Sequence, residues 1–214
     1  GGGGGSAGGG GGGGGAPVPA AIATTSSATL NFTGTDGDDT LEGASDQSLA
    51  ESFEGGDGND RLVGFRGADS LTGGAGDDEL RAGNGMDWID AGDGADQLYG
   101  GFGANVFAST EDGDEDAIHF KSDQLAYNYI YEKAGNNPNG LKADELQGLD
   151  ASDRILVEGA RTVQLRWVEV SGAQTHTGAL SGIGLYVDGF LEAVYTGGVL
   201  SVDQLMALSS GIEI

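Results

Sequence analysis

The sequence predicts an all-β fold whose main part is a parallel β-roll, a flattened β-helix of short stacked repeats. One nine-residue unit recurs six times in succession between Gly55 and Ala108. Glycine recurs at position 4 of the unit, an aspartate or asparagine at position 6, and a large apolar residue at position 8. The six units read GGDGNDRLV, GFRGADSLT, GGAGDDELR, AGNGMDWID, AGDGADQLY and GGFGANVFA.

Two further units precede these six. Gly34–Glu42 (GTDGDDTLE) is a copy in full register, and Gly43–Glu54 is interpreted as a copy stretched by three residues. We expect the stretched unit to lack a position-6 acid in register. A metal site between this unit and Asp69 is therefore not expected.

The spacing divides each unit into a six-residue turn and a three-residue strand. Glycines in the turn allow positive φ and a close approach of neighbouring backbones. A strand of three residues directs its middle side chain to one face, so two units form one coil and alternate units stack into two facing sheets. The predicted interior pairs Leu41, Leu62, Leu80 and Leu98 with Phe53, Leu71, Ile89 and Phe107.

The repeat region is also strongly acidic. Residues 34–108 contain 17 Asp and Glu but only three Arg and no Lys. The predicted interior is too thin to offset both this repulsion and the entropy lost on ordering the chain. A bound cation is needed, and calcium fits because it takes six to eight oxygen ligands from carboxylates and backbone carbonyls. The chain has no Cys and only two His, which argues against a soft-metal site.

The position-6 residues are the predicted calcium ligands. Turns that stack are two units apart in sequence, so each ion should lie between the position-6 residues of units n and n+2. About five calcium ions are expected on this basis. The pairs are Asp39 with Asp60, Asp60 with Asp78, Asp69 with Asp87, Asp78 with Asp96, and Asp87 with Asn105; Asp36, Asp57 and Asp93 at position 3 are expected as additional ligands.

The pattern G-G-x-G-x-D-x-U-x, where U is a large apolar residue, resembles the repeats-in-toxin (RTX) nonapeptide. The resemblance covers residues 34–108, the predicted β-roll, and register holds across six consecutive units. Ala82 and Ala91 replace a first glycine, Phe65 and Phe102 occupy positions 2 and 3, and Asn105 replaces the last acid. The resemblance implies calcium binding and export by a type I secretion machinery that reads a C-terminal address.

Composition limits the partners and the location. A formal charge of −25 argues against binding to nucleic acid or to an anionic membrane. No apolar run is long enough to span a bilayer, so direct membrane insertion is not expected. No charged-then-apolar secretion signal precedes the repeats. Together with the resemblance, this predicts a secreted or cell-surface bacterial protein that is held together by calcium rather than by disulfides.

The N-terminal part is predicted to be two segments. Residues 1–15 are a polyglycine tract, and residues 16–33 are a linker with a lead-in strand around Asn31-Phe32-Thr33. An ordered glycine tract needs backbone hydrogen-bond partners, either a sheet edge or other tracts packed as threefold helices. We therefore expect assembly with further copies of the chain, and a homo-oligomer or filament. The assembly contacts are represented by Gly1, Gly5, Gly10 and Gly15.

Residues 109–214 are predicted to form a β-rich cap with one short helix and the secretion signal. The acidic cluster at Glu111–Asp116 is read either as a further calcium site or as a solvated loop. Short alternating segments indicate strands, and Asp188-Gly189 indicates a hairpin turn. Ser201 and Gln204 form a capping box at a helix start. The predicted strands are Asp116–Phe120, Asp153–Glu158, Arg161–Val170 and a hairpin over Gly182–Thr196, and the helix is Ser201–Leu208.

The sequence shows little that indicates catalysis. It contains no HExxH helix, no GxSxG elbow and no P-loop. His119 and His176 lack a neighbouring nucleophile and acid, and an enzyme is not expected. The favoured function is a calcium-loaded structural protein that self-assembles into a surface layer, filament or matrix. Alternatives are a folding and secretion module of a larger exported enzyme, toxin or adhesin, and an adhesin tip that contacts a glycan through Trp167 and Tyr186.

Overall fold

The structure is a computed structural model, and it describes residues 29–45, 49–108, 113–121, 143–158, 165–175, 177–187, 190–198 and 200–212. Two β-sheets account for most of this part of the chain. In chain order the strands are β1 (Thr29–Thr33), β2 (Thr40–Glu42), β3 (Ala50–Asp57), β4 (Arg61–Val63), β5 (Ser70–Ala75), β6 (Glu79–Gly85), β7 (Trp88–Asp93), β8 (Gln97–Gly103), β9 (Val106–Ala108), β10 (Ala117–Lys121), β11 (Asp144–Gln147), β12 (Arg154–Glu158), β13 (Arg166–Thr175), β14 (Gly178–Val187), β15 (Phe190–Tyr195) and β16 (Ser209–Ile212). The helix α1 spans Val202–Leu208.

Successive strands alternate between the two sheets, as the nine-residue period predicts. The nine-stranded sheet has the order β1-β3-β5-β7-β9-β11-β15-β14-β13, and the seven-stranded sheet has the order β16-β12-β10-β8-β6-β4-β2. Pairing is parallel throughout the repeats, and neighbours within a sheet are one full coil apart. The predicted parallel β-roll is confirmed.

The interior consists of two apolar rows, one from each sheet. In the seven-stranded sheet Leu41, Leu62, Leu80 and Leu98 lie in register. The facing sheet contributes a second row of Phe53, Leu71, Ile89 and Phe107. All eight side chains are buried. Period-two alternation in each short strand puts only one side chain per unit inside, which is why the interior is a single layer thick.

The parallel stack continues beyond residue 108. β10 pairs with β8, and β11 pairs with β9, so the strands on both sides of the predicted domain boundary share the same sheets. The boundary itself remains a prediction. Ile118 and Leu146 extend the two apolar rows by one position each. The sequence did not indicate β11 or β16, which are four-residue strands with no clear alternation.

The predicted C-terminal elements are present with shifted ends. β10 and β12 fall on the segments predicted as Asp116–Phe120 and Asp153–Glu158. β13 begins at Arg166, and residues 161–164 lie outside the described part of the chain. β14 and β15 form the antiparallel hairpin, whose turn at residues 188–189 is not described.

The short helix α1 has the predicted start. The backbone N–H of Gln204 donates to the Ser201 side chain, and the Ser201 N–H donates to Gln204 Oε1 at 3.0 Å. Both halves of the capping box are therefore formed, which satisfies two N–H groups that a helix start leaves unpaired. Leu205 is the buried residue of this helix. Among the described residues, no helix is both long and apolar enough to cross a membrane.

Candidate metal centres

The turns of the roll lie along two edges. At the first edge the chain passes from the nine-stranded to the seven-stranded sheet, and at the second edge it returns. Position-6 residues end these turns immediately before a strand, so their side chains stack at the edge of the interior. The first edge contains Asp39, Asp60, Asp78 and Asp96, and the second edge contains Asp69, Asp87 and Asn105.

A ladder of hydrogen bonds connects the position-6 residues of the first edge. The backbone N–H of Asp39 donates to Asp60 Oδ1 at 2.7 Å, and the N–H of Asp60 donates to Asp78 Oδ1 at 2.7 Å. The N–H of Asp78 donates to Asp96 Oδ1 at 2.7 Å. Each of these carboxylates therefore reaches toward the turn before it, one coil away.

The second edge has the same ladder. The N–H of Asp69 donates to Asp87 Oδ1 at 2.9 Å, and the N–H of Asp87 donates to Asn105 Oδ1 at 3.2 Å. The amide oxygen of Asn105 thus takes the place of a carboxylate oxygen. All five predicted pairs are brought together by the fold, and their role as calcium ligands remains a prediction.

The second oxygen of several carboxylates is buried without a hydrogen bond. This holds for Oδ2 of Asp60, Asp69, Asp78 and Asp87. A buried carboxylate oxygen without a donor is strongly unfavourable unless a cation accompanies it. Four such atoms occupy equivalent positions of successive turns. The need for a cation therefore recurs from turn to turn.

Backbone carbonyl oxygens converge on the same places. A Cβ added at Gly64 would lie 2.6 Å from Asp69 Oδ2 and 2.8 Å from the Ala82 carbonyl oxygen. Equivalent additions at Gly55 and Gly73 would meet Asp60 Oδ2 and Asp78 Oδ2, each together with a carbonyl oxygen of the next coil. The donor set is thus the mixture of carboxylate and carbonyl oxygens that calcium prefers, and the residues fit this ion.

Among the described residues, no group of three or more His, Cys, Asp or Glu side chains comes close enough to hold a metal ion by itself. Each turn has one position-6 residue, so two position-6 side chains come together at each level of an edge. The other ligands must be backbone carbonyls. The side chains that would hold the ions are Asp39, Asp60, Asp78 and Asp96 at the first edge, with Asp69, Asp87 and Asn105 at the second.

Burial dominates the electrostatics of the ladder. It raises the pKa of Asp69 and of Asp78 to about 6, and that of Asp87 to about 7. The neighbouring acid on the ladder raises each of these pKa values further, while the backbone N–H that donates to the carboxylate lowers them. A bound cation would lower these pKa values and favour the ionised carboxylates.

The three position-3 acids are placed differently. Asp36, Asp57 and Asp93 are exposed on the outside of the first edge. Ala75 lies between Asp57 and Asp93 in the strand register, which keeps those two carboxylates two coils apart. They are not gathered with the ladder residues in this arrangement, and their role as additional ligands remains a prediction.

The stretched unit contributes an acid that the sequence analysis missed. Its expected lack of a position-6 acid in register is wrong, because Glu51 is buried at that place and its N–H donates to Asp69 Oδ1 at 2.9 Å. The Glu51 carboxylate accepts the N–H of Ala44 at 3.0 Å, which closes the longer turn. Counting back two residues from Phe53 would have found it, since the extra residues precede Glu51.

Three more acids extend the ladders into the C-terminal part. The N–H of Asp96 donates to Asp116 Oδ1 at 2.9 Å, and the N–H of Asp116 donates to Asp153 Oδ1 at 3.1 Å. At the second edge the N–H of Asn105 donates to Asp144 Oδ1 at 2.6 Å. Asp116 belongs to the predicted acidic cluster, of which residues 111–112 are not described. No nine-residue spacing marks these positions, but each acid stands two residues before a buried apolar residue (Ile118, Leu146 and Ile155), as position 6 does before position 8.

His119 is not part of this arrangement. His119 stacks on Tyr99 with ring centroids 4.2 Å apart, and its Nδ1 lies 3.5 Å from Glu158 Oε1. Burial lowers the pKa of His119, while Glu158 opposes that shift. His176 lies outside the described residues. The assembly glycines Gly1, Gly5, Gly10 and Gly15 also lie outside them.

The fold and the turns define a calcium-binding β-roll. A family model for the RTX calcium-binding nonapeptide repeat matches the chain in four copies, over residues 31–47, 48–80, 72–107 and 81–114. The match spans residues 31–114, and the suspected resemblance to this repeat family is confirmed there. RTX nonapeptide repeats bind calcium, and proteins that contain them are typically secreted. Searches of curated proteins and of solved structures found no match.

Proposed function

We propose that this chain is a secreted structural protein whose β-roll folds when it meets extracellular calcium. The observation that carries the proposal is the set of buried Oδ2 atoms without a hydrogen bond on successive turns, three of which (Asp60, Asp69 and Asp78) share their place with a backbone carbonyl oxygen of the next coil. A folded roll without cations would have to bury these charges uncompensated. About five ions between the predicted pairs would remove that penalty.

Coupling between calcium and folding suits a protein that must leave a cell unfolded. Calcium is scarce inside cells and abundant outside, and binding energy becomes folding energy when a site exists only in the folded state. Each position-6 side chain belongs to a different turn, so no site is complete until two coils have stacked. The chain would stay loose before export through a type I machinery and would fold afterwards.

The assembly part of the proposal rests on composition. The polyglycine tract would connect copies of the chain into a surface layer, a filament or a matrix, through backbone hydrogen bonds. The repeats supply a structural calcium-binding fold, and we propose no catalytic role for the chain. The glycan-contact alternative loses one of its two residues, because Trp167 is buried and its indole N–H donates to Ser209 Oγ at 3.0 Å.

A calcium titration tests the folding proposal. Far-UV circular dichroism of the full chain in chelator should show little β-structure, and calcium should produce the β spectrum in a cooperative transition. Magnesium at the same concentration should not replace calcium, because it demands octahedral geometry and retains its waters. A fully folded roll in chelator would overturn the proposal.

Sedimentation tests the assembly proposal separately. With saturating calcium the full chain should form large species, and a variant without residues 1–15 should not. A chain that folds with calcium but remains monomeric would refute assembly while leaving calcium-dependent folding intact. That outcome would favour the alternative reading, a folding and secretion module with the glycines as a tether.

A further inference from the structure

The two edges of the roll differ in the outward-facing parts of their turns. At the first edge, position 5 carries a polar column in which the Asn59 N–H donates to Asp38 Oδ1 at 2.9 Å and the Asp77 N–H donates to Asn59 Oδ1 at 3.1 Å. At the second edge, positions 3 and 5 of the three full-register units contain no acid. Those positions hold Arg66, Ala68, Asn84, Met86, Phe102 and Ala104.

Large apolar side chains are exposed on the same second edge and at the start of the strand that follows it. Met86, Trp88 and Phe102 are 44%, 38% and 48% exposed. Among the described residues, the remaining large apolar side chain with comparable exposure is Met206 on α1. We call Arg66, Asn84, Met86, Trp88 and Phe102 the second-edge stripe. Exposed apolar side chains beside turn positions that contain no acid are unusual for a chain of charge −25 and indicate a contact surface.

Three residues of the stripe form a column one strand spacing apart. Arg66 bridges to Asn84, and Asn84 is in register with Phe102 on the next coil. The Phe102 ring already accepts a cation, since Lys121 Nζ lies 4.3 Å from its centroid. The column therefore begins with a guanidinium and ends with an aromatic ring that is suited to cation–π contact.

The backbone of the same edge is strained at Phe65. This residue occupies position 2 with φ of 67°, where the other five of the six consecutive units have glycines with positive φ. A bulky side chain in left-handed backbone is a rare outlier, and such outliers cluster at functional surfaces. Phe65 adds a second, independent feature to the turn that contains Arg66.

We propose that the second-edge stripe is a contact surface for a second copy of this chain, related by a two-fold axis near Asn84. Reversing the column about Asn84 puts Arg66 of one copy opposite Phe102 of the other, and Asn84 opposite Asn84. The column is thus self-complementary, as an isologous contact requires. Met86 and Trp88 would pack beside it.

The distribution of charge permits a second copy to approach at this edge. Two chains of charge −25 repel each other across most of their surface, and the second edge lets them approach without opposing carboxylates at these turn positions. The stripe spans only a few coils, so the contact belongs to the weak, transient class of interface. It needs the folded roll but no residue of the glycine tract, and it would add a lateral contact to the proposed assembly.

Disulfide trapping in this cysteine-free chain tests the proposal. In Asn84→Cys the two thiols of a dimer would meet at the axis, so oxidised glutathione in saturating calcium should give a covalent dimer. Ala75→Cys, at position 3 of the first edge and also exposed, is the matched control. We expect trapping of Asn84→Cys to be at least about tenfold faster. Equal rates for the two variants would overturn the proposal.

Charge changes in the Asn84→Cys background test the two-fold geometry. Phe102→Lys should slow trapping about tenfold, because the new lysine faces Arg66 of the other copy, whereas Phe102→Glu should slow it much less. Adding Arg66→Glu to Phe102→Lys should restore trapping. Met206→Lys should have no effect on trapping.

Equal slowing by Phe102→Lys and Phe102→Glu, without rescue by Arg66→Glu, would overturn the two-fold arrangement. Circular dichroism with calcium confirms that each variant folds, and the result does not depend on whether the glycine tract assembles.

Discussion

Asp78 shows how one carboxylate serves two neighbouring turns. Its Oδ1 accepts the Asp60 N–H, its own N–H donates to Asp96 Oδ1, and its Oδ2 is buried without a hydrogen bond. Removal of this side chain therefore damages the coils on both sides. Asp39 lies at the start of the same ladder and has a ladder partner on one side.

We expect Asp78→Ala to remove about two calcium ions per chain and Asp39→Ala about one, because of these different numbers of neighbours. Isothermal titration calorimetry gives the stoichiometry. Asp77→Ala is the control, since Asp77 is exposed beside Asp78 in the same turn. An equal loss of ions in Asp78→Ala and Asp77→Ala would contradict the assignment of the ladder residues as ligands.

Phe65 has a left-handed backbone conformation. Left-handed backbone costs a non-glycine residue about 1–2 kcal/mol, and a glycine there loses about 0.5–1 kcal/mol more entropy on folding. Phe65→Gly should therefore raise the free energy of unfolding of the calcium-loaded roll by about 0.5–1 kcal/mol. Urea unfolding measures this free energy.

Gly83→Ala, at the equivalent position of the next coil, should lower the free energy of unfolding, because the Cβ would collide with the Phe65 carbonyl. A less stable Phe65→Gly variant would show that packing of the ring outweighs the strain.

At the scale of the elements, the turns of the roll contain the buried aspartates whose pKa values are raised. Burial raises the pKa of Asp69 and Asp78 to about 6 and of Asp87 to about 7, above the ordinary value of 3.8. The metal-free folded roll therefore holds protons more tightly than the unfolded chain does. Its stability rises as the pH falls from above about 7 toward about 4, and it is lost as the pH rises through those values.

The metal-free chain should accordingly gain β-structure when the pH is lowered from about 8 to about 5.5 in chelator. Circular dichroism follows the change. Asp78→Asn should show a smaller pH dependence than Asp77→Asn, which controls for the general reduction of negative charge. With calcium the dependence should reverse, because protons compete with the ion for the carboxylates. A metal-free spectrum that does not change with pH would contradict the prediction.

Single elements show which features of the chain a local pattern can predict. The two interior rows and the ladder pairs from Asp39 to Asn105 follow from a strict period, which fixes both the register and the face of every strand. Glu51 was missed because the three extra residues of its unit precede it. Counting from the first residue of the unit therefore misplaces position 6. β11 and β16 were missed because they form through parallel pairing with distant strands. Such pairing does not require an alternating pattern of apolar and polar residues within the strand itself.

At the scale of the whole molecule, the C-terminal strands depend on the repeats for their partners. β10 lies between β8 and β12, and β11 lies between β9 and β15. The antiparallel hairpin of β13 and β14 is more local, since its two strands adjoin in sequence. Loss of calcium should thus affect the parts of the molecule unequally.

Hydrogen exchange tests this order. Chelation should expose the amides of β10 and β11 together with those of the repeats, although neither strand lies within the consecutive repeat units. The β13–β14 hairpin should lose less protection, because its pairing is local. Mass spectrometry of peptides from the exchanged full chain resolves these segments. If β10 and β11 kept full protection while the repeats exchanged, the two regions would be independent folding units.

The one-directional ladder has a consequence for how sharply the protein responds to its surroundings. Each carboxylate completes the turn before it, so the first coil to close receives little help and every later coil finds a neighbour already in place. A one-dimensional array of this kind folds cooperatively. The folding transition is then steep, and few chains are partly folded at its midpoint. A modest rise in ion concentration near that midpoint would then convert the whole roll at once, which makes the protein a threshold device and not a graded buffer.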